Sequence, residues 1–297
     1  MNCNDYYKYL QQFVEEKLEH YTDYSPNIHQ KAVMQAMRYS LLGGGKRIRA
    51  ILALEFCKNF CGSVEAAVPA ACALEMVHAY SLIHDDLPCM DDDDMRRGKP
   101  TCHKQFGEGL AVLAGDGLLT MAFETLSCDE SVEIMGALNA VKIIKALSHY
   151  SGEYGMLGGQ VIDVLNEGKG LSNEVHSQMV AMKTGALIKA AVYCGCVAGG
   201  ADETVTEKAL KYAELIGRAF QITDDILDVI GDSAVLGKNV GSDEKENKVT
   251  FVSIYGIEAA QKMADDMFSE ASAILNDIAY ENEFLLWLTK LLAQRNS

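Results

Sequence analysis

Along the second half of the chain the apolar residues recur every three to four positions, as in Leu210, Ala213, Leu215, Ile216 and Phe220, and strict alternation of the strand type is hard to find. Only four prolines occur, Pro26, Pro69, Pro88 and Pro100, so beyond them no position lacks the backbone donor a helix needs. The first twenty residues also read as an amphipathic helix. The pattern predicts an all-α protein, a bundle of helices punctuated by glycine clusters at 43–45, 158–159 and 199–200. The last pair has a sufficient use as helix C-caps. No internal repeat, low-complexity segment or Pro/Ser-rich linker interrupts the chain, which predicts one domain over residues 1–297. The stretch from Gly231 to Val249 is polar, charged and glycine-bearing, and is expected to be a mobile loop near the functional site.

Charge narrows the partners. With 26 basic and 42 acidic residues the net charge is -16, so nucleic acid and anionic membrane surfaces would be repelled and a small-molecule partner is expected. Nine cysteines without a CxxC pair read as reduced thiols of a cytoplasmic protein. Cys194 and Cys196 lack the second pair of ligands a zinc site requires. The longest apolar stretches, such as the one from Ala186 to Ala201 with Lys189 inside, fall short of the roughly 20 residues of a membrane span, so no stable membrane insertion is expected.

Two acidic clusters carry the chemistry. From His84 to Lys99 the chain packs six aspartates, Asp85, Asp86, Asp91, Asp92, Asp93 and Asp94, into ten positions. Such crowding is costly unless a cation sits among the carboxylates, although a solvated acidic loop is the alternative for this segment taken alone. The second cluster, Gln221 to Asp228, embeds Asp224, Asp225 and Asp228 in an apolar helix. At about 100° per residue Asp224 and Asp228 lie about 40° apart, with Gln221 one turn earlier on the same side. Oxygen-only ligands suit Mg²⁺, which is typically held by one or two carboxylates together with substrate phosphate oxygens. His84 and His103 lack helix-spaced histidine partners for zinc, and His78 is better suited to donating to an anion. Basic residues complement the acidic ones. Lys46 and Arg49 stand one helical turn apart after Gly43–Gly45, suited to phosphate oxygens, and Arg96 and Arg97 close the first cluster. Lys183, Lys238 and Lys248 lie in or near polar breaks of the second half.

These residues resemble a family, the trans-type isoprenyl diphosphate synthases, and in particular its bacterial farnesyl diphosphate branch. The resemblance runs from about Tyr39 to Arg295 and rests on GGGKRIRA (43–50), HDDLPCMDDDDMRRGKPTCH (84–103), GGQVIDV (158–164), KTGALI (183–188), FQITDDILD (220–228) and the lysines of LGKNVGSDEKENK (236–248). Asn247 and Val249 depart from it, in loop detail only. The resemblance implies helices around a deep central cavity, a homodimer, and Mg²⁺, about three ions per site. It implies that Asp85, Asp91 and Asp224 hold metal, with Asp86, Asp225 and Asp228 in support. Arg96, Lys183 and Lys238 would contact an allylic diphosphate, with Lys248 in the same substrate-binding loop, and Lys46, Arg49, His78 and Arg97 would bind isopentenyl diphosphate. Thr184 and Gln221, with Lys183, would act at the developing allylic cation. Tyr80 and Ser81, one turn before Asp85, would set product length. Helical phase favours Ser81 as pocket wall, whereas the resemblance favours Tyr80 combined with the extra residues Pro88 and Cys89. Three other readings stay open: a geranylgeranyl diphosphate synthase, a terpene cyclase, and a non-catalytic subunit of a heteromeric synthase.

Overall fold

A computed structural model describes residues 1–24, 29–230, 249–279 and 281–293. It is 80% helical. The helices are α1 (Cys3–Tyr21), α2 (Lys31–Leu41), α3 (Ile48–Cys61), α4 (Val68–Asp85), α5 (Cys102–Phe106), α6 (Glu108–Ser127), α7 (Asp129–Met135), α8 (Ala137–Ser151), α9 (Met156–Asn166), α10 (Asn173–Val180), α11 (Ala186–Gly199), α12 (Glu203–Ile230), α13 (Phe251–Tyr255), α14 (Ile257–Ile278) and α15 (Glu283–Ala293). A π turn, Ala181–Gly185, joins α10 to α11, and one antiparallel pair, β1 (Met95–Arg96) and β2 (Lys99–Pro100), follows the first aspartate cluster. Of the expected loop, residues 231–248 lie outside the described residues, and Lys238 and Lys248 with them.

Amphipathicity assigns each helix its depth. In α1 the residues Leu10, Val14 and Leu18 are buried at the four-residue spacing of one face, and the other side is solvated. By contrast α4 is buried nearly all round from Val68 to Ile83, and α11 likewise from Ala186 to Gly199, which makes them central helices. Pro69 stands in the first turn of α4, where a missing donor costs no bond. The most closely packed pairs are α12 with α14, α3 with α11 and α4 with α6.

Apolar length exceeds the expectation from sequence. Three helical stretches, Glu65–Asp85, Glu108–Ser127 and Asn173–Gly199, are long and apolar enough to cross a membrane by length and composition. The π turn is the reason for the third: it lets α10 and α11 run on as one stretch. Here 72% and 61% of the apolar windows of the first and third are buried within the bundle, against 39% for α6. Cys194 and Cys196 are core residues of α11, and burial pushes both thiols up to about 12.

Candidate active site

The first acidic cluster begins where α4 stops. Asp85 is the last residue of the helix and Asp86 its C-cap. Pro88 cannot continue the helix, and the chain turns so that the Asp91 amide donates to the Asp85 carbonyl at 2.9 Å. That bond folds Asp91 back over the helix end. Burial pushes the Asp85 carboxyl up to about 6, an effect that Lys183 opposes and Asp91 reinforces. Asp86 is 3% exposed, and burial raises its pKa too. Arg96 offsets that by donating from Nε to both carboxylate oxygens, at 2.7 and 2.9 Å.

Arg96 reaches Asp86 because of the short hairpin. Its two-residue loop, Arg97–Gly98, has φ of 54° and 74°, the positive pair that a type I′ turn requires. The turn sends Arg97 the other way, where its guanidinium donates to the Gly44 carbonyl. Gly44 and Gly45 themselves have φ of 87° and 143°, and Arg47 follows in the left-handed region as N-cap of α3. Lys46 therefore lies in the loop ahead of α3 and Arg49 inside its first turn. They are not on one continuous helix, as the sequence suggested, because Arg47 breaks it.

Arg47, 4% exposed, holds this loop from within. It donates to Glu75 at 3.0 Å, to Glu15 at 2.7 Å and to the Leu41 carbonyl at 2.6 Å. Glu75→Ala would leave a buried guanidinium without its main partner, and we expect a loss of about 3 kcal/mol in denaturant unfolding. A loss under about 1 kcal/mol would show that Glu15 and Leu41 suffice. Beside this pair a cleft is lined by Tyr39, His78, Asp86, Arg96 and Arg97 among others. Burial, and then the neighbouring Arg49, Arg97, Arg47 and Arg96, hold His78 well below the usual imidazole range, so it is neutral at pH 7. Arg49 Nε is buried without a protein partner. Four guanidiniums around a neutral histidine, one with an unanswered donor, make a cleft for a polyanion.

The second acidic cluster meets the π turn. A π turn widens the helix by one residue and is frequent at functional sites; here it carries Lys183 and Thr184. Two glycines admit it. A Cβ on Gly159 of α9 would lie 2.7 Å from Lys183 Cα, and one on Gly217 of α12 would lie 2.9 Å from Gly185 Cα. Lys183 Nζ pairs with Asp163 at 2.5 Å. Thr184 Oγ1 donates to Gln221 Oε1 at 3.0 Å, Gln221 Nε2 donates to Asp225 Oδ1 at 3.0 Å, and the Phe251 amide donates to Asp225 Oδ2 at 2.8 Å. Asp225 and Asp228 are 3% and 2% exposed, whereas Asp224 is half-buried. Asp163, His176, Lys183, Thr184, Gln221 and Asp225 share the wall of a second cleft.

The structure thus brings Asp85, Asp86, Asp91, Arg96 and Lys183 to one end of α4, with Thr184, Gln221 and Asp225 linked to them through the π turn. His78, Arg96 and Arg97 line the neighbouring basic cleft, and Arg49 is near enough to act on His78 without being part of the wall. Tyr80 and Ser81 line neither of these two clefts: the Tyr80 ring packs edge-on against His84 at 5.8 Å, and Ser81 Oγ donates to the His78 carbonyl. Sequence reading missed Arg47, Glu75, Asp163 and the Phe251 amide. Arg47 and Asp163 lay inside quoted motifs, but their partners are distant in the chain.

Whether these residues fit Mg²⁺ is decided by their donor chemistry. Among the described residues no three of His, Cys, Asp and Glu converge closely enough to hold an ion unaided. The donors are nevertheless oxygen only, on two elements flanking a lysine, the set that suits an ion completed by phosphate oxygens and water. Burial and Asp91 push the Asp85 carboxyl up, and a cation held there would offset both effects.

Comparison with known proteins gives the family. The family model described as Polyprenyl synthetase matches residues 30–281. The chain is 44% identical over 268 residues to farnesyl diphosphate synthase of Escherichia coli (strain K12), covering 89% of each. It is 45% identical over 243 residues to the chloroplastic heterodimeric geranylgeranyl pyrophosphate synthase large subunit 1 of Arabidopsis thaliana, covering 80% of this chain and 65% of that protein's length. The crystal structure of an FPP/GFPP synthase from Zymomonas mobilis in its apo form superposes with a TM-score of 0.87 at 33% identity, over 98% of this chain and 99% of that one.

Proposed function

The chain belongs to the polyprenyl synthetase family, and from that premise we propose that it joins isopentenyl diphosphate head-to-tail to dimethylallyl and then geranyl diphosphate, releasing farnesyl diphosphate and diphosphate. The observation that carries this reading is the pair of clefts at the two aspartate clusters. One is lined by arginines and His78, the other by Lys183, Thr184 and Gln221. Two anionic substrates need two such sites.

The allylic diphosphate binds beside Lys183, Arg96 and Lys238, with Lys248 nearby, and isopentenyl diphosphate binds to Lys46, Arg49, His78 and Arg97. Asp85, Asp91 and Asp224 would hold Mg²⁺, about three ions in all, and the bound metal would supply positive charge to balance the leaving diphosphate. Asp86 holds Arg96 toward that diphosphate, and Asp225 and Asp228 brace α12 beneath it. The allylic C–O bond breaks with its electron pair leaving on diphosphate, and the cation that remains faces the oxygens of Thr184 and Gln221. The double bond of isopentenyl diphosphate supplies the electrons of the new C–C bond. A proton then passes to the departed diphosphate, which restores a double bond in the product. No covalent enzyme intermediate is involved, and the apolar interior of the bundle keeps water from the cation.

The fifteen-carbon product follows from Tyr80 with Pro88 and Cys89. The geranylgeranyl names among the relatives support a second reading with a longer product. We take residues 1–297 as one synthase domain acting in the cytoplasm as a homodimer. Leu113 of α6 and Leu138 and Val141 of α8, 55%, 69% and 63% exposed, are the apolar surface that a second copy would cover. Incubation with isopentenyl diphosphate, Mg²⁺ and each allylic starter, followed by chromatography of the dephosphorylated products, tests the reading. A dominant fifteen-carbon alcohol supports it, and a twenty-carbon one replaces it with the second reading.

A further inference from the structure

The glycine loop that precedes α3 is held from outside by α1, a helix that lies before the residues matched by the family model. Tyr7, Gln11 and Glu15 are four residues apart and so share one face of α1. Each bonds to one of three consecutive loop residues. Tyr7 Oη donates to the Lys46 carbonyl at 2.7 Å, Gln11 Nε2 donates to the Gly45 carbonyl at 3.2 Å, and Glu15 accepts from Arg47 Nε at 2.7 Å. The helix that offers them is itself anchored. Leu10, Val14 and Leu18 are at most 1% exposed, and the Tyr7 ring lies 5.7 Å from Trp287 of α15. From the opposite side Arg97 donates to the Gly44 carbonyl, and its guanidinium lies 2.9 Å from where a Cβ on Gly45 would stand.

A loop with Gly44, Gly45 and Arg47 in positive φ has several conformations open to it, and only a clamp selects one. We propose that Tyr7 and Gln11 are positioning residues for the isopentenyl diphosphate site. By fixing the carbonyls of Gly45 and Lys46, they set where the Lys46 side chain and the first turn of α3, with Arg49, meet the diphosphate. This rests on the assignment of Lys46 and Arg49 to that substrate. Glu15 contributes through Arg47, whose further bond to Glu75 makes it the least discriminating of the three.

The test is steady-state kinetics with each substrate varied in turn. Gln11→Met keeps length and removes the donor, Gln11→Lys keeps a donor, and Tyr7→Phe removes only the hydroxyl. Lys46→Ala and Lys183→Ala report on the underlying assignment. Gln11→Met and Tyr7→Phe are each expected to raise KM for isopentenyl diphosphate roughly three- to tenfold with the allylic KM unchanged, and Gln11→Lys to restore most of it. An unchanged isopentenyl KM in Gln11→Met and Tyr7→Phe, with Lys46→Ala raising it, would overturn the clamp and leave the site assignment standing. If Lys46→Ala also left it unchanged, or moved only the allylic KM, the assignment would fail and the clamp with it. Equal rises in both KM values, or a fall in melting temperature with neither KM moved, would reduce α1 to a structural support and also overturn the proposal.

Discussion

Replacing Asp85 or Asp224 by Ala is expected to lower kcat about a thousandfold or more at saturating substrates and Mg²⁺, with the fold retained. In the proposed function both carboxylates help to balance charge on the diphosphate as it leaves, and an interaction made only in the transition state appears in kcat. In the free protein the charged form of Asp85 is disfavoured. Burial and Asp91 push its carboxyl up, and Lys183 only partly relieves it. Its removal should therefore cost no stability, which separates a loss of chemistry from a loss of fold. Retention of more than about a tenth of the turnover in either variant would remove that residue from the machinery. Circular dichroism and thermal melting on the same preparations check the fold.

The second large effect is on product length. Tyr80 lies five residues before Asp85, about 7.5 Å along the axis of α4. Its ring is half-buried against the core and edge-on to His84. Ser81 is one residue nearer Asp85, with its hydroxyl turned back to the His78 carbonyl. A growing prenyl chain directed down from Asp85 has to pass this turn of α4. Tyr80→Ala opens the space and should move the main product from fifteen carbons toward twenty or more, whereas Ser81→Phe fills it and should move the product toward ten. The change in volume acts on the tail, so total condensation should stay within about tenfold of the parent. Fifteen carbons dominant in both variants would place the floor of the pocket elsewhere. The closeness of Tyr80 to His84, rather than to either cleft, makes this the more demanding of the two tests.

The parts of the molecule that were legible in the sequence are those whose cause is local. Scarce proline and helical spacing predict the helices, and the four-residue spacing of Asp224 and Asp228 predicts their common side of α12. What was not legible depends on partners far apart in the chain. Lys183 and Asp163 are 20 residues apart, Arg47 and Glu75 are 28 apart, and Asp225 and the Phe251 amide are 26 apart. Nothing in their spacing selects these partners over others. Lys46 was misplaced for a different reason. Continuing a helix back through GGGKR ignores the left-handed Arg47, a conformation that only the bonds to Glu15, Glu75 and the Leu41 carbonyl make tolerable. The length of the stretch Asn173–Gly199 was underestimated because Lys183 reads as a break, whereas the π turn carries it without ending the helix.

In the proposed function, ionisation of the allylic diphosphate is coupled to condensation with isopentenyl diphosphate. The direct measurement follows diphosphate release and carbon label together, using the purified chain, geranyl diphosphate, Mg²⁺ and labelled isopentenyl diphosphate. Diphosphate release is expected to equal the label entering the prenyl product, and to fall to background when isopentenyl diphosphate is left out. Sustained release without isopentenyl diphosphate, with an unlabelled cyclic or hydrolysed ten-carbon product, would contradict it and identify an enzyme that ionises its substrate without extending it.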